Sequence, residues 1–479
     1  MLDSRLLRAE WLKLRSVPWW VVGLLTAAVV TVTMSMLIAS GSGASDDDDP
    51  VTTNADGEPV RDDFHFVHQP MSGDGSVTAR VLDQTAIDSN GNPTTPQDAA
   101  MAGVMIKEST TAGSPYAAVA VTPGDGVRMQ ANFDADIAGS SDASPRWLRL
   151  TRSGSSITGY ESADGRKWTQ IGSVDLDELP ETVEVGFFVA SPPEVEVVRQ
   201  AGSTAVGEMS TLGVARFDNV GLDTGKPQGA WSSNDIGEGW SRQPAAEKDH
   251  VFEVSGSGEI AANPPDDDVV QISLLGVLVG SLAIIAVSVL FVTSEYRRDM
   301  IRTTFAAAPR RNQVLVAKSL VAGAVTFLIG LAASVTAFFL AVPVLQDNGF
   351  APPRFPDPSI TDPSVVRAIV GSAGMVAVVA VLSVAVGMIL RRGAPAIAAV
   401  TGLFFVPAFL ATVLPPTPSE WLVRLTPASG LAIQRSLAPT RALIEPWAMI
   451  PPWIGFGVLC LYAGGALVAA TWLLRRRDA

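Results

Sequence analysis

One cysteine, three histidines and four tyrosines among 479 residues leave little material for several kinds of chemistry. Cys460 has no partner for a disulfide and lies in an apolar run, where it reads as a small apolar residue. His65 and His68 form an HxxH, but residues three apart on a strand point to opposite faces. With no cysteine or third histidine near them, an ordinary surface or core role is expected and no metal centre. A phosphate-cradling GxxxxGK[ST] loop is also missing. The nearest approach, Gly221-Leu222-Asp223-Thr224-Gly225-Lys226-Pro227, is too short and ends in proline, so it reads as a turn. Any ATP-driven work therefore needs a second chain to supply the ATPase.

Basic residues are outnumbered, 34 against 48 acidic, and the imbalance is local. Residues 44–268 hold 14 basic and 38 acidic side chains, whereas the rest of the chain holds 20 and 10. So acidic a region repels phosphates, which excludes nucleic acid as a partner. Charge of either sign is missing altogether from residues 17–39, 269–293, 319–344, 368–390, 394–414 and 453–474. Each run is long enough to cross a bilayer as a helix, so six transmembrane helices are expected. No ionisable group lies inside them, which argues against ion coupling and, with no Asp pair or HExxH, against intramembrane proteolysis.

The short flanks set an expected orientation. Arg5, Arg8, Lys13 and Arg15 precede the first run; Arg297, Arg298, Arg302, Arg310, Arg311 and Lys318 separate the second and third. Arg391 and Arg392 separate the fourth and fifth, and Arg475, Arg476 and Arg477 follow the sixth. Under the positive-inside rule both termini are cytoplasmic, the protein is a multi-pass plasma-membrane protein, and the acidic insert 44–268 is extracellular. Residues 1–16 read as a cytoplasmic amphipathic helix, with Leu2, Leu6, Leu7, Trp11 and Leu14 at helical spacing. Residues 294–313 form a second amphipathic segment, and the apolar, Trp-rich residues 415–452 an extracellular, partly re-entrant loop.

From about residue 62 the insert alternates apolar and polar residues in short runs separated by turns such as Pro123-Gly124-Asp125-Gly126 and Asp164-Gly165. About ten strands at this spacing imply an all-β antiparallel sandwich held by packing rather than disulfides. The phrases AGVMIKES, SPYAAVAVTPGDGVRMQ, PRWLRLTRSGSSITGYESADGRKWTQIGS and ARFDNV resemble concanavalin-like (jelly-roll) sandwich modules. In such modules a segment like WSSNDIGEGW to FEVSGSGEI precedes the FHFV strand. Here it follows, as residues 231–260, which reads either as a circular permutation joining the ends of the insert or as a truncated second repeat. Lectin-like folds bind sugars through exposed Trp, so Trp147 and Trp168 are candidates for an extracellular glycan ligand, or else core aromatics.

The segments RAEWLKLRSVPWW and SEYRRDMIRTTFAAAPRRNQVLVAKSL resemble permease subunits of ABC exporters of the second type. That resemblance implies an elbow helix at residues 1–16 and a coupling segment that seats in an ATPase subunit. Glu295, Arg298, Arg302, Phe305, Arg310 and Arg311 are its coupling residues. It further implies a dimer with a second permease copy or paralogue, no cofactor bound directly, and ATP-Mg held by the partner ATPase. The expected architecture is an α-helical polytopic membrane protein with six transmembrane helices and an inserted extracellular all-β sandwich. The expected function is a transport subunit rather than an enzyme; the alternative is a membrane-anchored glycan-binding or sensory protein.

Overall fold

A long apolar run keeps its backbone polar groups paired without water only as a helix, and alternating runs bury one face only as sheets. The chain separates accordingly. The computed structural model describes residues 4–44, 51–141, 145–177, 179–200, 203–224, 230–242, 246–297, 311–437 and 447–476. It divides into a helical unit (1–47, 199–204 and 265–479) and a β unit (48–198 and 205–264).

The helical unit begins with α1 (Ser4–Ser16) and α2 (Pro18–Gly41), followed by α3 (Val269–Leu274), α4 (Gly276–Arg297) and α5 (Arg311–Asp347). Then come α6 (Pro363–Leu390), α7 (Gly393–Ala411), α8 (Pro416–Arg424), a 3-10 helix (Pro427–Gln434) and α9 (Pro452–Arg476). Among the described residues six helical stretches are long and apolar enough to cross a membrane: α2, Val269–Tyr296, α5, α6, α7 and α9. Pro18 starts α2, where its missing N–H costs no helical bond. Small residues bring α2 and α4 together: a methyl group on Gly276 would sit 2.1 Å from Thr31 O, and one on Gly280 1.9 Å from Thr31 Oγ1. α6 is buried on most sides, whereas Leu25, Val29, Leu461 and Val468 on α2 and α9 lie outward.

The third helix starts well before the expected residue 319. α5 runs back to Arg311, because Lys318 is paired inside the unit rather than ending the span. Residues 415–452 fold inward in part: every residue of the 3-10 helix is buried, and Gln434 Nε2 donates to Leu274 O at 3.1 Å and Ser372 Oγ at 3.2 Å. Asp268 belongs to this unit. It caps α3 by accepting from Gln271 N, and accepts from Ser436 N (2.6 Å), Ser436 Oγ (2.7 Å) and Leu437 N (3.0 Å).

The β unit contains more strands than the expected ten. They are β1 (Val60–Asp62), β2 (Phe64–Ser72), β3 (Gly75–Ile87), β4 (Pro93–Thr94), β5 (Met101–Lys107), β6 (Tyr116–Thr122) and β7 (Gly126–Ala131). β8 (Ala135–Ala138), β9 (Arg146–Ser153), β10 (Ser156–Ser162), β11 (Thr169–Asp175), β12 (Thr182–Ala190) and β13 (Glu194–Gln200) follow. The rest are β14 (Ser203–Met209), β15 (Leu212–Asp223), β16 (Ser232–Ile236), β17 (Ala246–Lys248), β18 (Val251–Gly256) and β19 (Ile260–Ala262). One sheet runs β11-β10-β9-β3-β15-β18-β17 with β4 on β3, and the other β16-β2-β12-β5-β6-β7-β8.

The two sheets pack face to face, with Val77, Leu148, Leu150 and Phe217 of the first meeting Val67, Val104, Val119 and Phe187 of the second. Residues 231–260 are integral to this packing. β16 pairs with β2, β18 pairs with β15, and the Trp231 and Phe252 rings pack edge-on and tilted against Phe187, centroids 5.3 Å and 5.1 Å away. β1 pairs with β19, so the two ends of the insert lie side by side. Lys107 and Asp62, both fully buried, anchor β1 through a 2.7 Å ion pair. Burial pulls the Lys107 ammonium below its ordinary range against the attraction of Asp62.

Candidate functional site

At the end of the helical unit where the basic clusters lie, α1, α4 and α5 converge on four charged side chains. Residues Leu6, Leu7, Glu10, Lys13 and Leu14 share the inward face of α1, by the three- and four-residue spacing of a helix. Trp11, expected on the apolar face of this helix, is 44% exposed. Lys318, one to two turns into α5, donates to Glu10 Oε2 and to Glu295 Oε1, each at 2.7 Å, and its ammonium sits 4.7 Å over the Phe291 ring. Lys13 donates to Glu10 Oε1 at 2.9 Å and Glu295 Oε1 at 3.2 Å.

Two cations and two anions thus neutralise one another in a site from which water is almost excluded: Lys318, Glu10 and Glu295 side chains are 0%, 1% and 6% exposed. Burial alone would lower the Lys13 pKa, but hydrogen bonding and attraction to Glu10, then Glu295, raise it above the ordinary lysine value. Chemically the quartet is a clamp. Three of its four side chains are shut off from solvent, and it ties α1 to α4 and α5, the two helices that frame residues 298–310.

Of the expected coupling residues, Glu295 lies in the last turn of α4 with its carboxylate turned into this clamp. Arg298, Arg302, Phe305 and Arg310 lie outside the described residues, and Arg311 opens α5. Glu10, together with Lys13 and Lys318, which in the sequence stand only as basic flank residues, completes the cluster. The available signal was Glu10 itself, an acid on the inward face of a basic helix.

In the β unit, Trp147 and Trp168 are half-buried on the outer side of β9 and in the β10–β11 connection. Neither indole presents a bare stack: the Arg80 guanidinium lies 5.5 Å over Trp147 and that of Arg149 4.0 Å over Trp168. Gly165 at φ +69 closes over the Trp147 ring, where an added methyl would come within 2.7 Å. His65 and His68 do point to opposite faces. His68 Nδ1 meets Glu184 Oε2 at 2.6 Å and Nε2 meets Asn234 Oδ1 at 3.0 Å, while His65 meets Asp235 and Ser233.

No family model matches the chain, and no curated protein matches it either. Solved structures align with part of it. A functionally unknown protein from Saccharomyces cerevisiae is 15% identical over 34% of this chain and 76% of its own, with a TM-score of 0.21. SCP-B, a member of the eqolisin family of peptidases in complex with the tripeptide Ala-Ile-His, is 12% identical over 41% of this chain and 98% of its own, at 0.26. Scytalido-glutamic peptidase with a peptide-based transition-state analogue is 11% identical over 41% and 98%, at 0.27. Likenesses this distant carry no functional argument.

Proposed function

We propose that this chain is the membrane-spanning permease subunit of an ATP-driven ABC exporter, paired with a separate ATPase chain and a second permease copy. In this reading it sits in the plasma membrane with both termini cytoplasmic and displays a concanavalin-like sandwich outside the cell. The observation that carries it is the buried Glu10–Lys13–Glu295–Lys318 clamp. A chain that merely hung a sandwich from the membrane has little use for a four-charge junction with three of its charges desolvated, because each buried ion is costly unless it is closely paired. A force-transmitting chain does. A partner pushing on residues 298–310 can move helices only if the ends of α4 and α5 and the elbow helix behave as one body.

Outward-facing Leu and Val on α2 and α9 suit lipid. The glycan-binding alternative loses support from the guanidinium laid over each indole. The test is purification of the tagged full chain from its native membrane. Vanadate-sensitive ATP hydrolysis should co-purify with it, and should fall when Phe305 and Arg302 are replaced by Ala while the chain stays in the membrane. Hydrolysis absent from the preparation, or unchanged by those replacements, refutes the reading.

A further inference from the structure

The exposed edge of the seven-stranded sheet carries a chemistry that transport does not use. Ser233 and Asp235 are two residues apart on β16 and so project from the same face, with Asp235 opposite His65 of β2 and Ser233 opposite Val67. His65 Nδ1 lies 2.6 Å from Asp235 Oδ1, and His65 Nε2 lies 2.7 Å from Ser233 Oγ. A carboxylate oxygen can only accept, so the imidazole proton belongs on Nδ1. That leaves the Nε2 lone pair to accept the Ser233 hydroxyl proton. The His65 side chain is 3% exposed whereas Ser233 is exposed, so the base is fixed and shielded while the hydroxyl faces solvent. Asp235 is itself steadied by Ser241, whose hydroxyl donates to Oδ2 at 3.4 Å.

We propose that Ser233, His65 and Asp235 form a Ser-His-Asp acyl-transfer site that hydrolyses carboxylic esters at the edge of the sandwich. An oxyanion needs a donor beside the nucleophile, and the edge supplies one. β16 is the terminal strand of its sheet, and successive amides along a strand alternate sides. One of the N–H groups of Ser233 and Asn234 therefore points away from β2, with no further strand to receive it.

In the first half-reaction Ser233 Oγ bonds to the ester carbonyl carbon as its proton passes to His65 Nε2. The carbon–oxygen bond to the alcohol then breaks, and His65 returns the proton to the departing alkoxide. Water attacks the acyl-serine in the second half, giving its proton to His65 Nε2, and the carboxylic acid leaves as Ser233 Oγ takes that proton back. Asp235 keeps Nδ1 protonated and stabilises the imidazolium.

The same edge holds its own control. His68 also links β2 to β16, between Glu184 and Asn234, but on the other face and with an amide oxygen rather than a hydroxyl at Nε2. A purely structural His65 would behave as His68 does. Ser232, equally exposed on β16, stands opposite His68, whose ring nitrogens are engaged by Glu184 and Asn234 instead.

The full chain in detergent is treated with a fluorophosphonate probe, the modified serine is mapped by peptide mass spectrometry, and hydrolysis of p-nitrophenyl acetate is followed in parallel. Ser233 should react at least about 100-fold faster than Ser232. Ser233→Ala should abolish both signals, and His65→Gln and Asp235→Asn should each slow labelling about 100-fold or more. His68→Gln, which loosens the same strand, should leave labelling within about twofold. Asp235→Asn preserves shape, so a loss there with an unchanged circular-dichroism spectrum reports the tautomer and not the fold. Ser233 reacting no faster than Ser232, a rate unmoved by Asp235→Asn, or an equal loss in His68→Gln overturns the assignment.

Discussion

Replacing Lys318 by Met keeps the length of the side chain and removes the cation that both carboxylates share. Glu10 Oε2 and Glu295 Oε1 each lose a 2.7 Å charged hydrogen bond in a site with almost no water to replace it. Breaking a buried pair by removing one partner costs about 3–5 kcal/mol, since the other charge stays buried. Lys13 remains within reach of both, but its side chain is 39% exposed and it offsets only part of the loss, which points to about 3 kcal/mol. At about 2–4 °C per kcal/mol for a unit of this size, the unfolding midpoint should drop by about 6–12 °C.

The assay is built into the chain. Cys460 is its single cysteine and lies in α9, so a thiol-reactive dye reports the opening of the helical unit in detergent. Adding Glu10→Gln and Glu295→Gln to Lys318→Met removes the buried charges, leaves only Lys13 charged at 39% exposure, and should restore most of the midpoint, because an uncharged interior of similar volume is no worse than a buried ionic one. If Lys318 only marked the membrane border, Lys318→Met would leave the midpoint unchanged. That result, or a triple variant no more stable than the single one, refutes the clamp.

Three other outcomes are expected. In a Cys460→Ser background, a cysteine at Asp357 should react with impermeant maleimide on intact cells and one at Arg392 only after permeabilisation; the reverse pattern sinks the proposed orientation. A β-unit fragment of residues 51–264 should be folded and β-rich, and ending it at Asp223 should unfold it, since β16 and β18 are lost and Phe187 is stripped of Trp231 and Phe252; an unchanged melting temperature contradicts the observed pairing. Burial, with Asp266 and Asp268 beside it and Arg354 opposing, raises the Asp267 carboxyl to about 6. The folded protein then binds the extra proton between the unfolded value of 3.8 and about 6, so this group's contribution to stability falls as pH rises through that window. Asp267→Asn should therefore stabilise by up to about 1 kcal/mol at pH 7, after allowance for its partial exposure, and do nothing at about pH 3. An equal gain at both pH values contradicts the shift.

What the amino-acid order determines alone is whatever depends on neighbours in the chain. A run without charge either forms a helix or leaves its amides unpaired, and the six such runs are all helical. Strand alternation has a period of two, so the opposite facing of His65 and His68 was legible from their spacing alone. Tertiary structure decided whatever depends on which faces meet. Lys318 looked like the end of a span until Glu10, 308 residues away, and Glu295 were placed against it, allowing α5 to continue through a charge. Trp147 and Trp168 could be sugar-binding rings or core aromatics by sequence, and sheet register and loop geometry laid Arg80 and Arg149 over them. His65 acquired a carboxylate and a hydroxyl from a strand some 170 residues downstream. A charge or a ring carries no mark in the sequence of what will face it, because its partner is chosen by packing rather than by proximity along the chain.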